Sequence, residues 1–304
     1  MSRASVVGML IAAEILIVGM AIFALGRGGT SFAAGLHHVA FTPSTIAPMA
    51  AGSEPHVVID DRSSRVHVAV SNDNLVHVRD LTSIRGAVYS SGSYSQLHVT
   101  RTADGVRVER PHAGALSFEI FGFSTQAIEV DVPSGAHLEI AGCDGADVFG
   151  IAGGTTVHSL DGHVTLTDLQ GTVDVRSDDG YVSATNVRGD RLALASNDGH
   201  LALKNVTVDT LQARTLDGSI KADALSVAND ANIQTSDGSI HIALAPNANL
   251  AIDASTLDGR ISVDGATLDR DAQRTIRLGS AAGKMRLATS DGSIHILTNG
   301  EALQ

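Results

Sequence analysis

Aspartate followed by glycine recurs through the second half of this sequence, and these carboxylates are the first candidates for chemistry. The pairs are Asp144-Gly145, Asp161-Gly162, Asp179-Gly180, Asp198-Gly199, Asp217-Gly218, Asp237-Gly238, Asp258-Gly259 and Asp291-Gly292. Two carboxylates on one face of an elongated β protein can cleave a polysaccharide, whereas a row of carboxylate oxygens can hold calcium. Either chemistry requires the carboxylates to converge.

The regular spacing of these aspartates favours a structural role. They recur about every 19 residues, whereas a catalytic pair should break the repeat. Asp178-Asp179 is the one doubled acid within an Asp-Gly turn, and adjacent residues of an extended chain point in different directions. The order of Gly and Asp also differs from the calcium-binding β-roll pattern. The sequence therefore predicts no enzyme and no cofactor, and weak calcium binding at the Asp turns stays an open alternative.

Histidine and cysteine offer little support for other chemistry. The chain has 13 His, and several occupy outward strand positions. These are His67, His77, His98, His241 and His295. His241 and His295 fill identical repeat positions, and we expect them to lie several coils apart. No zinc-binding motif with two His on one helix is present. The single Cys143 excludes an intramolecular disulfide and is predicted to be a small core residue.

The repeat predicts the elements that position these side chains. Most pairs lie within the phrase [S/T]-x-D-G-x-[I/V/L], and Gly162, Gly171, Gly180 and Gly189 are nine residues apart. Each period therefore contains two short strands and two glycine turns, as in a parallel β-solenoid. The predicted inward side chains are Val164, Leu166, Val173, Val175, Val182, Ile220, Ile240, Ile261 and Ile294, and Leu278 and Met285 are expected to help close the core.

One octapeptide, TSDGSIHI, occurs at 235–242 and again at 289–296. We interpret it as the corner that every coil must turn. Glycine is expected to supply a positive φ there, and Asp, Ser or Thr to accept a backbone N–H. The fold prediction is an all-β, right-handed parallel β-solenoid over 140–304, with the handedness following from the chirality of parallel crossovers.

The region before the repeat is also predicted to be β. Alternating apolar and polar residues mark strands through 56–139, with a tight turn at Thr102 to Gly105. Aromatic residues cluster there at Tyr89, Tyr94, Phe118, Phe121 and Phe123. A solenoid needs a cover over its first coil, so 56–139 is predicted to be an N-terminal β cap. A carbohydrate-stacking platform is the alternative for these rings.

The N-terminus predicts a membrane anchor. Ala4 to Leu25 is almost wholly apolar and long enough to cross a bilayer as a helix. Residues 1–25 are thus assigned as tail and transmembrane helix, with a cleaved signal peptide as the alternative. Glu14 lies in mid-span, where a carboxylate points to helix pairing or is tolerated in protonated form. Residues 26–55 contain Pro43, Pro48 and Pro55 and are predicted to be a flexible linker.

Composition limits the core and the partners. Aromatic residues make up 3% of 304 residues and Trp is absent, so Val, Ile, Leu and Ala must fill the interior. The net charge of −12 gives no basic surface for nucleic acid. The predicted partners are the membrane, through the single span, and an envelope polysaccharide or another envelope protein.

The stretch from Ile128 to Asp190 resembles a bacterial family of putative-adhesin β-strand repeats, a domain of unknown function. It has the V-x-V-P lead-in at Val130 to Pro133, followed by alternating G-x-V and D-G-x-V half-coils, and the likeness continues to about Thr298. The resemblance implies a β-solenoid that is often tethered to the bacterial envelope by one N-terminal span. It implies no catalytic residues.

Together these features predict a non-catalytic, adhesin-like scaffold in a bacterial membrane, with its bulk exported to the periplasm or the cell surface. Two alternatives remain. One is a β-solenoid hydrolase or lyase that cleaves a polysaccharide, and the other is an envelope-stress accessory protein that acts through a membrane partner.

Overall fold

The computed structural model describes residues 36–90, 96–111, 117–267 and 273–298. All the regular secondary structure within these residues consists of β-strands, which confirms the all-β prediction. None of the described segments forms a helix long and apolar enough to cross a bilayer. The predicted span at 1–25 with Glu14, the linker up to residue 35, and Tyr94 lie outside the described residues, as do the side chains of Tyr89, Phe118, Phe121 and Phe123.

The strands follow one another closely along the chain. In chain order they are β1 (Leu36–Phe41), β2 (Ser44–Thr45), β3 (Met49–Ala50), β4 (His56–Asp60), β5 (Arg65–Val70), β6 (Leu75–Asp80), β7 (Ser83–Ser90), β8 (His98–Arg101), β9 (Gly105–Glu109), β10 (Ser117–Thr125), β11 (Ala127–Val132), β12 (His137–Gly142), β13 (Ala146–Phe149), β14 (Thr155–Ser159), β15 (Val164–Thr167), β16 (Val173–Asp179), β17 (Val182–Thr185), β18 (Arg188–Asp198), β19 (Leu201–Arg214), β20 (Ile220–Gln234), β21 (Ile240–Leu244), β22 (Leu250–Asp258), β23 (Ile261–Val263), β24 (Ala266–Thr267), β25 (Gln273–Arg277), β26 (Gly283–Asp291) and β27 (Ile294–Leu297).

The chain divides into two units. The smaller unit contains an antiparallel sheet of three strands in the order β1-β7-β10. The larger unit comprises residues 43–81, 96–111 and 126–304 and contains the repeats.

Two columns of parallel strands build the larger unit. The A column contains β12, β14, β16 and β18 and then the C-terminal parts of β19 and β20. The B column contains β13, β15 and β17, then the N-terminal parts of β19 and β20, and β21. Each coil pairs with the next in parallel, as a β-solenoid requires. The right-handed winding remains a prediction.

The interior is lined by aliphatic ladders. All the residues predicted to point inward are buried, as is Met285, while Leu278 is partly buried against the core. A third ladder follows each B strand and was not predicted. Its members are Ile151, Leu169, Val187, Val206, Leu225 and Leu244, all fully buried. The coil therefore has three buried sides where the half-period of nine indicated two.

The corner before this third ladder explains the extra side. Asp168, Asn186, Asn205 and Ala224 have φ values of 53–57°, the left-handed conformation that Asn and Asp tolerate best among non-glycine residues. Asn186 Nδ2 donates to Asp168 Oδ1 at 2.8 Å, and Asn205 Nδ2 donates to Asn186 Oδ1 at 3.1 Å. Amide side chains thus link successive coils at a corner that the glycine pattern marked only in part.

The C-terminal coil is inserted out of chain order. β26 pairs in parallel with β20 on one side and with β22 on the other. β27 likewise lies between β21 and β23. The coil formed by β22 and β23 follows β21 in the chain but lies one place further out in the stack. Its outer side is covered by antiparallel β25 and β24.

A similar inversion occurs at the other end of the stack. β4 lies between β9 and β12, and β5 lies between β11 and β13, with all four pairings parallel. Antiparallel β8 pairs with β9, and antiparallel β6 pairs with β11. Parallel pairing therefore begins at residue 56, within the region predicted to be the cap.

Candidate functional site

The predicted Asp-Gly residues form one exposed row along a corner of the stack. Asp179 pairs with Asp198, and the row continues through Asp217, Asp237, Asp291 and Asp258, while Asp161 is also exposed. Partial desolvation and the neighbouring carboxyls of Asp217 and Asp291 raise the pKa of Asp237. The carboxylates lie side by side and do not face one another across a cleft.

The corner glycines are required by close packing between coils. A Cβ added to Gly199, Gly218 or Gly238 would overlap the carbonyl oxygen of the corner glycine in the preceding coil. The same holds for Gly180 against Gly162, Gly292 against Gly238 and Gly259 against Gly292, and a Cβ on Gly162 would meet the backbone of Asp144 and Gly145. Among the glycines of the eight Asp-Gly pairs, all of which are described, only Gly145 and Gly180 have a positive φ, of 92° and 142°. The prediction that a positive φ requires glycine was therefore wrong at the other six Asp-Gly corners.

The corner hydroxyls also act differently from the prediction. Thr215 Oγ1 donates to Gly199 O at 2.8 Å, and Thr235 Oγ1 donates to Gly218 O at 2.8 Å. Thr289 Oγ1 donates to Gly238 O at 2.9 Å, and Thr256 Oγ1 to Gly292 O at 2.9 Å. These hydroxyls were predicted to accept a local N–H. The four threonine hydroxyls instead join their corner to the corner of the neighbouring coil, which makes the threonine form of the motif a clamp between coils. At the serine corner of Ser159 the hydroxyl accepts a hydrogen bond from Gly145 N, as predicted for the hydroxyl.

The described residues do not form a metal-binding cluster. Among residues 36–90, 96–111, 117–267 and 273–298, no group of three or more His, Cys, Asp or Glu is placed to hold a metal ion. Cys143 is fully buried, and its thiol lies 3.6 Å from His158 O. Burial raises the pKa of this thiol to about 11.

The outward side of the B column and of the strands that extend it at both ends, which we call the B face, carries three rows of side chains. Its central row is Glu129, His67, Asp147, Thr165, Ser183, Ala202, Lys221, His241, His295 and Ser262. The row two residues before it contains His163, Tyr181, His200, Ser219, Ser239, Ser293 and Arg260. The row two residues after it contains Phe149, Thr167, Thr185, Lys204 and Asp223. The B face is therefore rich in small hydroxyl side chains.

A depression of about 360 Å³ lies at the N-terminal end of the B face. Its lining includes Phe149, whose side chain is 51% exposed, together with Thr165 and Thr167. Its polar lining is His67, Arg79, Glu129, Asp131 and Asp147. The volume is within the range of sites that bind small molecules, and an apolar ring beside polar groups is typical of them.

Ion pairs hold the charged residues of the depression in place. Arg65 donates twice to Asp147, with both distances 2.9 Å, and His67 Nδ1 lies 2.9 Å from Asp147 Oδ2. Burial alone would raise the pKa of Asp147, but the hydrogen bond and charge of Arg65 outweigh it and lower the pKa. Arg79 lies 2.8 Å from Glu129. The Asp147 carboxylate therefore stays ionised as a hydrogen-bond acceptor beside Phe149.

A second exposed ring lies along the same face. Tyr181 is 37% exposed, and its ring meets that of His163 edge-on at 6.0 Å. One coil further, His200 Nδ1 accepts a hydrogen bond from Ser219 N at 2.9 Å. Sequence reasoning missed Phe149 and Tyr181 because it considered only the aromatic cluster ahead of the repeat. Their outward position in the period-two pattern was the available signal.

The two identical octapeptides are direct neighbours in the stack. Ile240 pairs with Ile294 and His241 with His295, and the two imidazole rings stack at 4.6 Å with 13° between their planes. The expectation that these histidines lie several coils apart was wrong, because β26 and β27 are inserted beside β20 and β21. Ser262 Oγ lies 2.7 Å from His295 Nδ1 on the other side. Burial, His295 and Lys221 lower the pKa of His241.

The profile of one protein family matches this chain over residues 56–297, which is well over half of its 304 residues. The chain belongs to the Toastrack DUF4097 family. The Toastrack family is a domain family of unknown function, and the match confirms the predicted repeat family. A search of curated proteins finds no match.

Solved structures similar to this Toastrack chain have low sequence identity. A putative adhesin from Bacteroides fragilis is 14% identical, with 84% of this chain and 97% of that chain covered and a TM-score of 0.49. A putative lipid binding protein from Parabacteroides distasonis is 11% identical, with 86% and 95% covered and a TM-score of 0.38. A putative cell adhesion protein from Clostridium sporogenes is 8% identical, with 84% and 99% covered and a TM-score of 0.28. None of these three is named as an enzyme.

Proposed function

We propose that this protein is a non-catalytic scaffold of the bacterial envelope that binds an extended glycan along its B face. Residues 1–25 would anchor it in the membrane, and the repeats would be exported. The observation that carries the proposal is the exposed Phe149 ring beside the carboxylate-lined depression.

The chemistry of the depression favours a sugar ligand. An aromatic ring offers an apolar surface for the C–H face of a sugar, while ionised Asp and Glu accept hydrogen bonds from hydroxyl groups. Phe149 provides the apolar surface, and Asp147, Glu129 and Asp131 provide the hydrogen-bond acceptors. Thr165 and Thr167 add hydroxyl groups that both donate and accept.

The repetition of the B face favours a polymer over a single sugar. Parallel strands place equivalent side chains about 4.8 Å apart from one coil to the next. Thr165 is followed by Ser183, and Thr167 by Thr185, with Tyr181 in the adjacent row. A chain of similar units can therefore meet similar groups at successive coils.

The arrangement of the carboxylates favours binding without cleavage. Hydrolysis of a glycosidic bond uses two carboxyl groups on opposite sides of the bond. The Asp-Gly carboxylates form a single row, and the depression holds its Asp147 carboxylate in ion pairs with Arg65 and His67.

The test is a pull-down of the full chain with insoluble peptidoglycan. We expect binding, and we expect the F149A/Y181A double variant to bind at least tenfold more weakly. The matched control is L257A, because Leu257 is 73% exposed and lies on the Asp-Gly corner of the outermost coil, away from the B face. Equal binding by the double variant, or release of soluble fragments from the polymer, would contradict the proposal.

A further inference from the structure

Four residues with complementary polar groups lie side by side at the C-terminal end of the B face. Lys221, His241, His295 and Ser262 occupy consecutive strands in the central row, from β20 through β21 and β27 to β23. Chain order does not bring them together, since His295 reaches its position only through the insertion of β27. We call these four residues the histidine row.

Lys221 is exposed and the two imidazoles are half-buried, whereas Ser262 is buried against His295. The two imidazoles are stacked at 4.6 Å, and Ser262 Oγ occupies Nδ1 of His295, which leaves Nε2 of that ring. Within the described residues, neither ring nitrogen of His241 has a hydrogen-bond partner, and Lys221 has no carboxylate within ion-pair distance. The ring N–H of His241 and the ammonium of Lys221 can therefore donate hydrogen bonds to an acceptor on a bound ligand.

The charges around the histidine row are mostly positive. On β20 the row has Lys221, with Asp223 two residues further on, and β19 contributes Lys204 opposite Asp223. Arg260 lies two residues before Ser262, and Asp264 lies two residues after it, where its carboxylate accepts hydrogen bonds from Thr298 N and Oγ1. β21 and β27 contribute only the two histidines to this face.

The acidic corner is separated from the row. Asp237 and Asp291 lie four residues before His241 and His295, with the corners at Gly238 and Gly292 between them. Both carboxylates are exposed, so dissolved salt weakens their effect on a ligand at the row.

We propose that the histidine row is a subsite for the acidic groups of an anionic envelope glycan, filled when the imidazoles carry protons. Each protonated ring donates an N–H to a carboxylate or phosphate oxygen, and Lys221 supplies a permanent positive charge. Rings on adjacent strands present these donors about 4.8 Å apart. The proposal rests on the function proposed above and names the class of polymer.

Proton binding and anion binding are coupled in this arrangement. Burial, the stacked His295 ring and Lys221 together lower the pKa of His241 in the free protein and so disfavour its protonation. An anion bound to the row opposes that shift, so the bound state takes up protons and affinity increases as the pH falls.

The experiment measures binding of the full chain to two soluble polymers at pH 7.5 and pH 5.5. Polygalacturonate has a carboxylate on each sugar, and dextran is neutral. We expect polygalacturonate to bind at least tenfold more tightly at pH 5.5, and dextran to bind equally at both values. A poly(glycerol phosphate) arm distinguishes phosphate from carboxylate as the preferred group.

Variants separate the histidine row from the general loss of negative charge at low pH. H241Q/H295Q should abolish the pH dependence and leave dextran binding unchanged, while H98Q serves as the control because exposed His98 lies on β8. Retention of the pH dependence by the double variant would overturn the inference.

The outcome also separates this inference from the proposed function. If the full chain binds neither peptidoglycan nor these two polymers, glycan binding is contradicted, and a titration with inorganic phosphate then tests the row by itself. Phosphate-dependent shifts of the His241 and His295 ring signals in NMR spectra would support an anion subsite. The absence of such shifts would exclude it.

Discussion

The middle of the stack and its C-terminal end are built from the same motif but are connected differently. From β12 to β21 each coil pairs with its neighbour in the chain. At the C-terminal end, the coil of β26 and β27 separates two coils that are adjacent in sequence. The difference shows that the motif specifies how a coil pairs and leaves open which coil it pairs with.

The reason lies in the contacts that the motif makes. Thr235 donates to the corner glycine of the preceding coil in chain order, whereas Thr256 donates to Gly292, which comes later in the chain. The geometry is the same in both cases. Any coil with a Thr and a Gly at the corner can therefore occupy any position in the stack, and the loops must decide the order.

Cross-linking gives the largest expected effect, because it tests the order of the coils directly. Ser239 lies next to Ser293, and Ser293 lies next to Arg260. Adjacent strands are about 4.8 Å apart, within reach of a disulfide, whereas two strand spacings are out of reach. We expect S239C/S293C and S293C/R260C to form disulfides and S239C/R260C to form none, as measured by mass spectrometry after oxidation. A disulfide in S239C/R260C would show that the coils follow chain order.

Replacing a corner glycine by alanine should lower the free energy of unfolding more in the middle of the stack than in the outermost coil. Gly199 is enclosed by coils on both sides, so G199A should lower the free energy of unfolding by about 3 kcal/mol. Gly259 belongs to the outermost coil, which can move away, and G259A should cost about 1 kcal/mol. Urea denaturation measures both, with S183A on the B face as the control. Equal losses would mean that the last coil is as constrained as the middle.

The corner threonines should behave alike in the two regions. T235V and T289V each remove one hydroxyl donor and leave a glycine carbonyl without it, at a cost of about 1 kcal/mol. Thermal denaturation of the single and double variants measures the loss, and T167V is the control. A markedly larger loss for T289V would indicate that the inserted coil depends on its clamp more than the middle does.

Acidification should affect the contact between β21 and the inserted β27 more than the rest of the stack. The pKa of His241 is lowered in the folded state, so its neutral form stabilises the fold above the ordinary value near 6.5 and that contribution is lost as the pH falls through it. We expect thermal stability to decrease from pH 7.5 to pH 5.5 in the absence of ligand, and less so in H241Q. The effect on stability has the opposite sign for Asp237, whose pKa is raised in the folded state. Protonation of this carboxyl on further acidification removes its repulsion with Asp217 and Asp291 and so stabilises the fold. An H241Q protein with an unchanged pH profile would contradict this assignment.

Labelling of the Cys143 thiol should show the smallest effect. This residue lies in the middle region, which we expect to open least. Its thiol is buried and its pKa is about 11, so almost no thiolate forms at pH 8. Labelling by a thiol reagent should therefore require opening of the stack, and urea concentrations that release only the last coil should not accelerate it. Rapid labelling in native buffer would show that the middle opens as readily as the end.

Much of the fold could be predicted from local spacing. The period of the Asp-Gly pairs and the alternation around Val164 or Ile240 specify parallel coils, and these residues are buried as expected. The order of the coils could not be predicted, because TLDGRI at 256–261 and TSDGSI at 289–294 satisfy the same pairing rules. The same ambiguity led to the wrong expectation for His241 and His295.

The candidate site was less accessible to sequence reasoning. The B face is defined by which residues become neighbours across coils, and the depression combines Arg79, Glu129 and Phe149 from three separate strands. Phe149 and Tyr181 each read as an isolated ring in the sequence. Only the strand register shows that they share a face with rows of Ser and Thr.

The antiparallel strand β25 has a consequence for how molecules of this protein meet. A bare parallel coil at the end of a stack would present an unpaired backbone edge that a second molecule could extend indefinitely. β25 occupies that position, and its Gln273, Arg274 and Arg277 side chains are exposed. Growth by end-to-end addition would have to displace this strand and bring arginines together, so the chain itself sets the number of coils and resists becoming the seed of a fibre.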